Sequence, residues 1–427
     1  MGITLEYNCK CKSLYKLELP ILTLQLVFFV SPFVDAITGY LLGIGLFSTN
    51  SPFSPSQIFR FGITILLLTQ LTSKQLRIAL GMLISLIIVE ILAFINHNYI
   101  PGLLSGTITA VKLSFILLLY FVLKNYITNG ILKTYISLIN YLIKGAAIYA
   151  IITVISDMLG ISFGSYGEGL GSKGLFASAN GLGIFLGVAS LYSLFMLKNY
   201  GDKRYIYLIL LFSFVLIHIM SKAALLSVCL TFVLWFYYIG TKYKCLFLFG
   251  ILLLISYFYL PIVDFIETAG EIVIYRWNNS GDVWSFLLSG RTMYIDYALE
   301  SFNISGLLIY RLLIGAGYFM SFRNPDLPNF WEESSSFLEA ELIDTFFMYG
   351  LIGLTILIII GVESYASLNR NKNKYNMILK AILLMLLFHS AFAGHVLFNG
   401  MSVIALVSIL VISFNNKYKN ESSFSIS

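Results

Sequence analysis

Residues 334–360, SSSFLEAELIDTFFMYGLIGLTILIII, form a polar stretch that runs directly into a long apolar segment. About 20 predominantly apolar residues suffice to cross a bilayer, and this segment is long enough. Glu339, Glu341 and Asp344 lie at its beginning, where lipid strongly disfavours charge. Acids in such positions are a sign of function. The stretch therefore predicts a transmembrane helix with a functional site at its first turns.

The rest of the chain has the same character. Of its 427 residues, 58% are hydrophobic and only 11% are charged, whereas about a quarter of the residues of an ordinary globular chain are charged. We therefore expect an all-α polytopic membrane protein, with residues 1–427 forming a single membrane domain in a lipid bilayer. The net charge of +6 is attributed to loop residues on one side of the membrane and not to a nucleic-acid partner.

Twelve apolar segments are long enough to be candidate spans, and one large loop, residues 264–341, precedes the tenth. We see no cleavable signal peptide, no internal repeat and no low-complexity tract. The four cysteines, including the pair in CKCK at residues 9–12, are interpreted as reduced thiols, so no metal or cofactor is predicted. The candidate spans are 19–45, 57–72, 77–96, 102–123, 134–156, 179–197, 204–220, 222–240, 245–263, 342–363, 377–394 and 400–414.

The distribution of basic residues predicts the topology. With a cytoplasmic N-terminus, most of the 27 Lys and Arg residues fall in inside segments, as the positive-inside rule requires. Both termini are then cytoplasmic, and the large loop is extracytoplasmic. The few basic residues of the outside segments become exceptional. They are Arg60, Lys173, Arg276, Arg291, Arg311 and Arg323.

Four cations on this outer side are candidate ligands for a phosphate. Arg291 and Arg311 lie in the large loop, Lys173 lies in a Gly/Ser-rich loop, and Lys222 begins a span. A guanidinium fork fits phosphate well. Lys222 opposes the dipole at the start of its helix, and a bound anion would relieve that conflict. His218 lies one turn earlier and is a further candidate for lining the site. The alternative is that these cations are ordinary surface or snorkelling charges.

The three acids of residues 334–360 are candidates for proton transfer. A partly desolvated carboxylate at the membrane face can remove a proton from a sugar hydroxyl. We expect Glu339 to be this base, with Asp344 and Glu341 as second choices. The alternative for Glu339 and Glu341 is a favourable interaction with the helix dipole. His395, near the outer end of the eleventh span, is a weaker candidate for the same site.

Three sequence blocks carry a resemblance to a known family. They are GSKGLFASANGLGIFLG (171–187), MSKAALLS (220–227), and the series SGRTMYIDYALES (289–301), LLIGAGYF (312–319) and FLEAELIDTFFMYGLIGL (337–354). In this order and spacing they resemble the O-antigen polymerase and ligase superfamily of bacterial envelope glycan enzymes. The resemblance covers about the second half of the chain. Lys222 stands where that family usually has Arg, and Glu339 stands where its ligases have a histidine.

The resemblance implies a GT-C-like membrane fold and a metal-independent glycosyltransferase in the bacterial cytoplasmic membrane. Its substrates would be glycan donors and acceptors linked to undecaprenyl diphosphate, with an active site on the periplasmic face. Glu339 in place of histidine favours the polymerase over the ligase, which transfers glycan to lipid A core or protein. A polysaccharide chain-length regulator is a candidate partner. The alternative from another class is a lipid-linked glycan transporter or flippase, which should show internal pseudosymmetry.

Overall fold

A computed structural model describes residues 18–47, 51, 53–97, 100–165, 171–240, 243–245, 308–318, 338–370 and 374–414, with scattered positions between 263 and 299. The described residues are helical apart from short turns and one isolated β-bridge between Gly164 and Ser172. The helices are α1 (Glu18–Gly43), α2 (Pro55–Leu68), α3 (Ser73–His97), α4 (Ile100–Thr128), α5 (Tyr135–Met158), α6 (Ala179–Tyr200), α7 (Arg204–Ile219), α8 (Lys222–Tyr238), α9 (Leu308–Ile314), α10 (Glu341–Asn369), α11 (Asn376–Phe392) and α12 (Gly400–Ser413).

The helices have the composition of a membrane protein. Within the described part of the chain, six are long and apolar enough to cross a bilayer, namely α1, α3, α4, α5, α6 and α10. Five more are apolar but shorter, namely α2, α7, α8, α11 and α12. The prediction of a helical membrane protein is thus confirmed, whereas the number of twelve spans stays a prediction. Residues 246–262 of the ninth predicted span, 245–263, and most of the loop 264–341 lie outside the described residues.

Helix α6 occupies the centre of the bundle, and its side chains from Gly181 to Met196 are all buried. Glycines on this helix allow its neighbours to approach closely, as small residues do in membrane bundles. A Cβ at Gly183 would meet the hydroxyl of Ser221 at the start of α8, and a Cβ at Gly181 would meet the side chain of Asn399 before α12. The first turns of α6, α8 and α12 therefore lie together.

A sharp turn separates α7 from α8, which correspond to the separately predicted spans 204–220 and 222–240. Met220 ends α7 in the left-handed conformation with φ 58°. Ser221 then has an extended backbone, and its side chain accepts a hydrogen bond from the Ala224 N–H at 3.2 Å. This N-cap satisfies one of the free donors at the start of α8. Residues 204–240 are thus two helices, and Lys222 is the first residue of the second.

Helix α10 is interrupted at Gly350, whose φ of 65° and ψ of −165° are not helical. The break frees carbonyl groups of the preceding turn, and residues 315–317 take them up. Ala316 N–H donates to the Phe347 carbonyl at 2.9 Å, and Gly317 N–H donates to the Met348 carbonyl at 3.1 Å. Gly315 and Gly317, both with positive φ, permit this close approach to the backbone of α10.

Tyr318, directly after residues 315–317, is held against α3 by a buried acid. Glu90 is 2% exposed, and its two carboxylate oxygens each lie 3.1 Å from the Tyr318 N–H that donates to them. Buried charge is tolerated when it is hydrogen-bonded. Glu90 therefore helps to hold the segment of the large loop that ends at Tyr318 against the helical bundle.

Candidate functional site

The predicted site residues of the described chain gather at one end of the bundle, where α2, α6, α8, α10 and α12 begin. We call this the site end. Beside the contacts of α6 with Ser221 and Asn399, the Ser402 hydroxyl donates to the Gly181 carbonyl at 3.4 Å. A Cβ at Gly400 would also meet the guanidinium of Arg60 on α2. These contacts bring loops that are far apart in the sequence to the same face of the protein.

Glu339 and His395 form the most unusual pair at the site end. His395 Nε2 lies 3.3 Å from Glu339 Oε1, and the side chains are 27% and 38% exposed. Both residues have a positive φ, 65° for His395 and 59° for Glu339. Gly394, directly before His395, also has a positive φ, and a Cβ there would meet the Glu339 backbone. The pair is rigidly placed and still open to a ligand.

Glu341 is buried at 1% exposure, and its carboxylate is fully occupied by protein donors. Oε1 accepts from the N–H groups of Val396 and Leu397 at 2.7 Å each, and Oε2 accepts from the Ser390 hydroxyl at 2.7 Å. These donors belong to the end of α11 and the loop before α12. In this arrangement, Glu341 ties that loop to α10, and its predicted part in substrate binding stays a prediction.

Asp344 lies one turn deeper and is fully buried. Its Oδ1 accepts from the Leu338 N–H at 3.0 Å, while Oδ2 has no hydrogen-bond partner in the described part of the chain. Leu338 directly precedes Glu339, so Asp344 fixes the backbone that carries the candidate base. Its predicted catalytic role stays a prediction.

A second cluster at the site end contains His218 and Lys173. His218 Nε2 lies 2.9 Å from Asp157 Oδ2 at the end of α5, and Ser172 donates its hydroxyl to the other oxygen of Asp157. The His218 carbonyl accepts from the Ser172 N–H at 2.9 Å. The loop that holds Lys173 is therefore fastened to the end of α7. Asp157 was not among the predicted site residues, because its sequence shows only a lone acid at the end of a span.

Lys173 and Lys222, two of the predicted phosphate ligands, lie on neighbouring loops. Lys173 Nζ donates to the Ala177 carbonyl at 3.3 Å, and burial lowers the pKa of this lysine because the charged form is desolvated. Gly171 packs against the backbone of Ile219, directly before the turn that leads to Lys222. Lys222 is exposed as the first residue of α8. The structure thus brings the loops of Lys173 and Lys222 together, whereas the phosphate site that they were predicted to share stays a prediction.

Among the arginines of the large loop, Arg311 is the one that the structure describes. Arg311 lies on α9 and is 4% exposed, with its carbonyl accepting from the Gly315 N–H at 2.8 Å. Helix α9 packs against α10 beside the break at Gly350, where a Cβ would meet the Leu313 carbonyl. Arg291, Arg276 and Arg323 lie outside the described residues. The predicted encounter of Arg291 with Lys222 and Glu339 therefore stays a prediction.

A third charged cluster was not predicted. Arg60 Nη2 lies 2.8 Å from Asp35 Oδ1, and the Tyr149 hydroxyl donates to Asp35 Oδ2 at 2.7 Å. The three residues come from α2, α1 and α5. The three residues meet through contacts between distant segments, so no local sequence pattern predicts this cluster. It places a buried acid and a partly exposed guanidinium next to the first residue of α12.

Neither the family models nor the curated proteins contain a match to this chain. Among the described residues, no three His, Cys, Asp or Glu side chains gather as a group able to hold a metal ion. The metal-independent chemistry that the sequence suggested therefore stays a prediction. We base the function on the residues that the fold assembles at the site end.

Proposed function

We propose that the protein is a membrane glycosyltransferase that polymerises oligosaccharide repeat units linked to undecaprenyl diphosphate. The reaction takes place at the extracytoplasmic face of the bacterial cytoplasmic membrane and yields O-antigen or a related surface polysaccharide. The observation that carries the proposal is the partly exposed pair of Glu339 and His395, held at the end of an apolar bundle together with Lys173 and Lys222. An acid beside cations at a membrane face suits the transfer of a glycosyl group from a lipid diphosphate.

The chemistry assigned to Glu339 is that of a general base. A hydroxyl group of the acceptor sugar attacks the anomeric carbon of the donor, and Glu339 takes the hydroxyl proton as the new glycosidic bond forms. The bond from that carbon to the diphosphate oxygen breaks, and the diphosphate leaves with the bonding electron pair. Glu339 then returns the proton to solvent, so the base is regenerated without another reactant.

His395 has a positioning role in this scheme. Its imidazole lies close enough to the Glu339 carboxylate to fix the orientation of that side chain. The loop that bears His395 is in turn held by Glu341, which binds the N–H groups of the next two residues. The contact of His395 with Glu339 and the contact of Glu341 with the His395 loop therefore both hold the partly exposed Glu339 carboxylate in place. Catalysis depends on such precise placement.

The cations stabilise the negative charge that develops on the leaving diphosphate. Fixed positive groups are most effective where charge builds up in the transition state and little water is present. We assign this role to Lys222, Lys173, Arg291 and Arg311. Lys222 suits it further because it begins α8, whose first N–H groups also favour an anion. Lys supplies charge without the bidentate fork of Arg.

One observation favours a ligase as the second candidate. Position 339 carries Glu where the ligases of the resembling superfamily have histidine, but His395 brings an imidazole to within 3.3 Å of that carboxylate. The transporter alternative has less support. The broken helix α10 provides the discontinuity that some transporters show, yet the Phe347 and Met348 carbonyls freed by the break are used by Ala316 and Gly317.

A glycan analysis of the source bacterium with this gene deleted separates the three functions. Loss of a polymerase leaves single repeat units on the final acceptor. A ligase deletion leaves long chains on undecaprenyl diphosphate instead, and a flippase deletion leaves single repeats on the lipid carrier inside the cell. We expect the first pattern, with restoration of long chains by the intact gene. Either of the other patterns contradicts the proposal.

A further inference from the structure

A cavity of about 340 Å³ lies between α2, α4 and α12 at the site end. Its walls are mostly apolar, but Arg60 of α2 and Lys112 of α4 both line it. The volume is in the range of small-molecule pockets, about 300–1,000 Å³. Apolar walls with two cations are an unusual combination inside a membrane protein, because charge in the bilayer is expensive unless a partner compensates for it.

The two cations are not neutralised equally. The Arg60 guanidinium has five N–H donors and is paired with Asp35, while 24% of its side chain remains exposed. Lys112 makes no hydrogen bond or ion pair with any residue in the described part of the chain. Because Asp35 supplies one negative charge for two positive ones, this group of three retains one net positive charge.

Arg60 and Lys112 carry like charges and line the same cavity, and none of its described lining residues is an acid. In a site of low dielectric constant, the repulsion between like charges is stronger than in water. An anion between them would replace this repulsion by two attractions and would give Lys112 a partner. A phosphate group fits, since both guanidinium and ammonium groups bind phosphate oxygens.

The cavity borders apolar side chains that the bundle leaves exposed. Ile58 and Phe61 of α2 line it and are 58% and 59% exposed, and exposed apolar side chains on a membrane helix face lipid. A ligand that enters between such side chains must itself be largely apolar. The cavity therefore suits an amphiphile whose chain occupies the apolar walls and whose anionic head reaches the two cations.

We propose that this cavity binds the phosphate head and the first part of the apolar chain of a lipid phosphate. Arg60 and Lys112 contact the phosphate oxygens, while the wall formed by α2, α4 and α12 covers the chain. The cavity is distinct from the Glu339 site, but the two share one loop. Leu397 and Phe398 line the cavity, whereas the Leu397 N–H binds Glu341 on the other side.

This shared loop suggests which lipid phosphate the cavity takes. A polymerase must hold two lipid-linked substrates at once, a donor and an acceptor. We assign the cavity to the isoprenoid phosphate carrier of the acceptor, an assignment that rests on the proposed function. The lipid phosphate site itself does not rest on that function, since it follows from the cavity and its charges.

The test is equilibrium binding of farnesyl diphosphate to the purified full-length protein in detergent. Because the Lys222 site is also proposed to hold a lipid diphosphate, we expect two classes of saturable binding site. Lys112→Gln should weaken one of them at least tenfold, and Lys112→Arg should largely retain it. Farnesol and inorganic diphosphate should each bind much more weakly, because each lacks one half of the recognised chemistry. The matched control is Lys144→Gln, which removes an exposed lysine of α5 that does not line the cavity.

A second variant tests the cavity without changing its charge. Ile108→Trp should fill part of the apolar space and weaken farnesyl diphosphate binding by a similar factor. Unchanged binding in both Lys112→Gln and Ile108→Trp overturns the lipid phosphate site, as does equally tight binding of farnesol. Equal competition by phosphatidylglycerol overturns the acceptor assignment alone. Because no step measures glycan transfer, failure here is distinct from failure of the proposed function.

Discussion

His395 Nε2 lies 3.3 Å from Glu339 Oε1, and both residues hold the left-handed backbone conformation that non-glycine residues rarely adopt. Such conformations cost about 1–3 kcal/mol each and persist where the surrounding structure enforces them. Here Glu341 and Asp344 hold the segments on either side. Strain of this kind concentrates at functional sites, and it marks Glu339 more clearly than its place in the sequence does.

Replacing the candidate base tests its chemistry. Glu339→Gln keeps the size of the side chain and removes its ability to take a proton, so glycan transfer by the purified protein should fall about 100-fold or more. Glu363→Gln is the matched control, because Glu363 is an exposed acid on α10, the helix that Glu339 precedes. Wild-type transfer rates in Glu339→Gln would remove Glu339 from the mechanism.

The position of Glu339 can be tested without changing its charge. Gly394 has φ 66°, and a Cβ there would lie 2.8 Å from the Cα of Glu339. Gly394→Ala should therefore displace the carboxylate and lower the transfer rate about tenfold, since small misplacements of catalytic groups are costly. Lipid-substrate binding should change little. A normal rate in a folded Gly394→Ala protein would show that the close packing is irrelevant to activity.

Glu341 is expected to act on stability more than on chemistry. Its carboxylate accepts from Ser390, Val396 and Leu397, and a glutamine would turn one of these acceptors into a donor. Glu341→Gln should lower the free energy of unfolding by about 1–3 kcal/mol, measured as a lower melting temperature in detergent. A protein of unchanged stability that lacks activity would instead assign Glu341 to the catalytic site.

The break in α10 depends on glycine. Gly350 has φ 65° and ψ −165°, and a Cβ there would also meet the Leu313 backbone. Gly350→Ala should destabilise the protein by at least about 1–3 kcal/mol, the usual cost of such strain. Gly81→Ala is the control, because nothing lies within 4 Å of a Cβ at that helical position. Equal melting temperatures for the two variants would contradict the structural role of the break.

Lys222 provides a test of diphosphate recognition. Lys222→Ala should lower the transfer rate at least tenfold, because a fixed charge near the leaving group is lost. Lys222→Arg should keep most of the activity and bind the lipid diphosphate as well as or better than the wild type, since the guanidinium fork matches phosphate. Retained activity in Lys222→Ala would assign the lysine to the membrane surface.

The helices were largely predictable because their signal is local. An apolar run of sufficient length shows a membrane helix whatever its neighbours are, and helices α1–α8 and α10–α12 coincide with predicted spans. The division between α7 and α8 matches the separately predicted spans 204–220 and 222–240. Whether each shorter helix crosses the bilayer is a property of the whole assembly, so the predicted count of twelve does not follow from these signals.

The site was only partly predictable because its contacts are long-range. The acids at residues 339–344 were recognised from their unusual place before an apolar run, but their separate roles depend on partners about fifty residues away. His395 beside Glu339 and the N–H groups that bind Glu341 are examples. Tyr149, Asp35 and Arg60 meet across three helices without any local pattern.

The most direct test of the account is a transfer assay with purified full-length protein and a lipid-linked repeat unit as the sole substrate. The account predicts a ladder of glycans that lengthens one repeat at a time on the lipid diphosphate carrier. Glu339→Gln should leave the starting repeat unit unchanged. A wild-type protein that binds this substrate but never produces a second repeat would contradict the assignment as a polymerase.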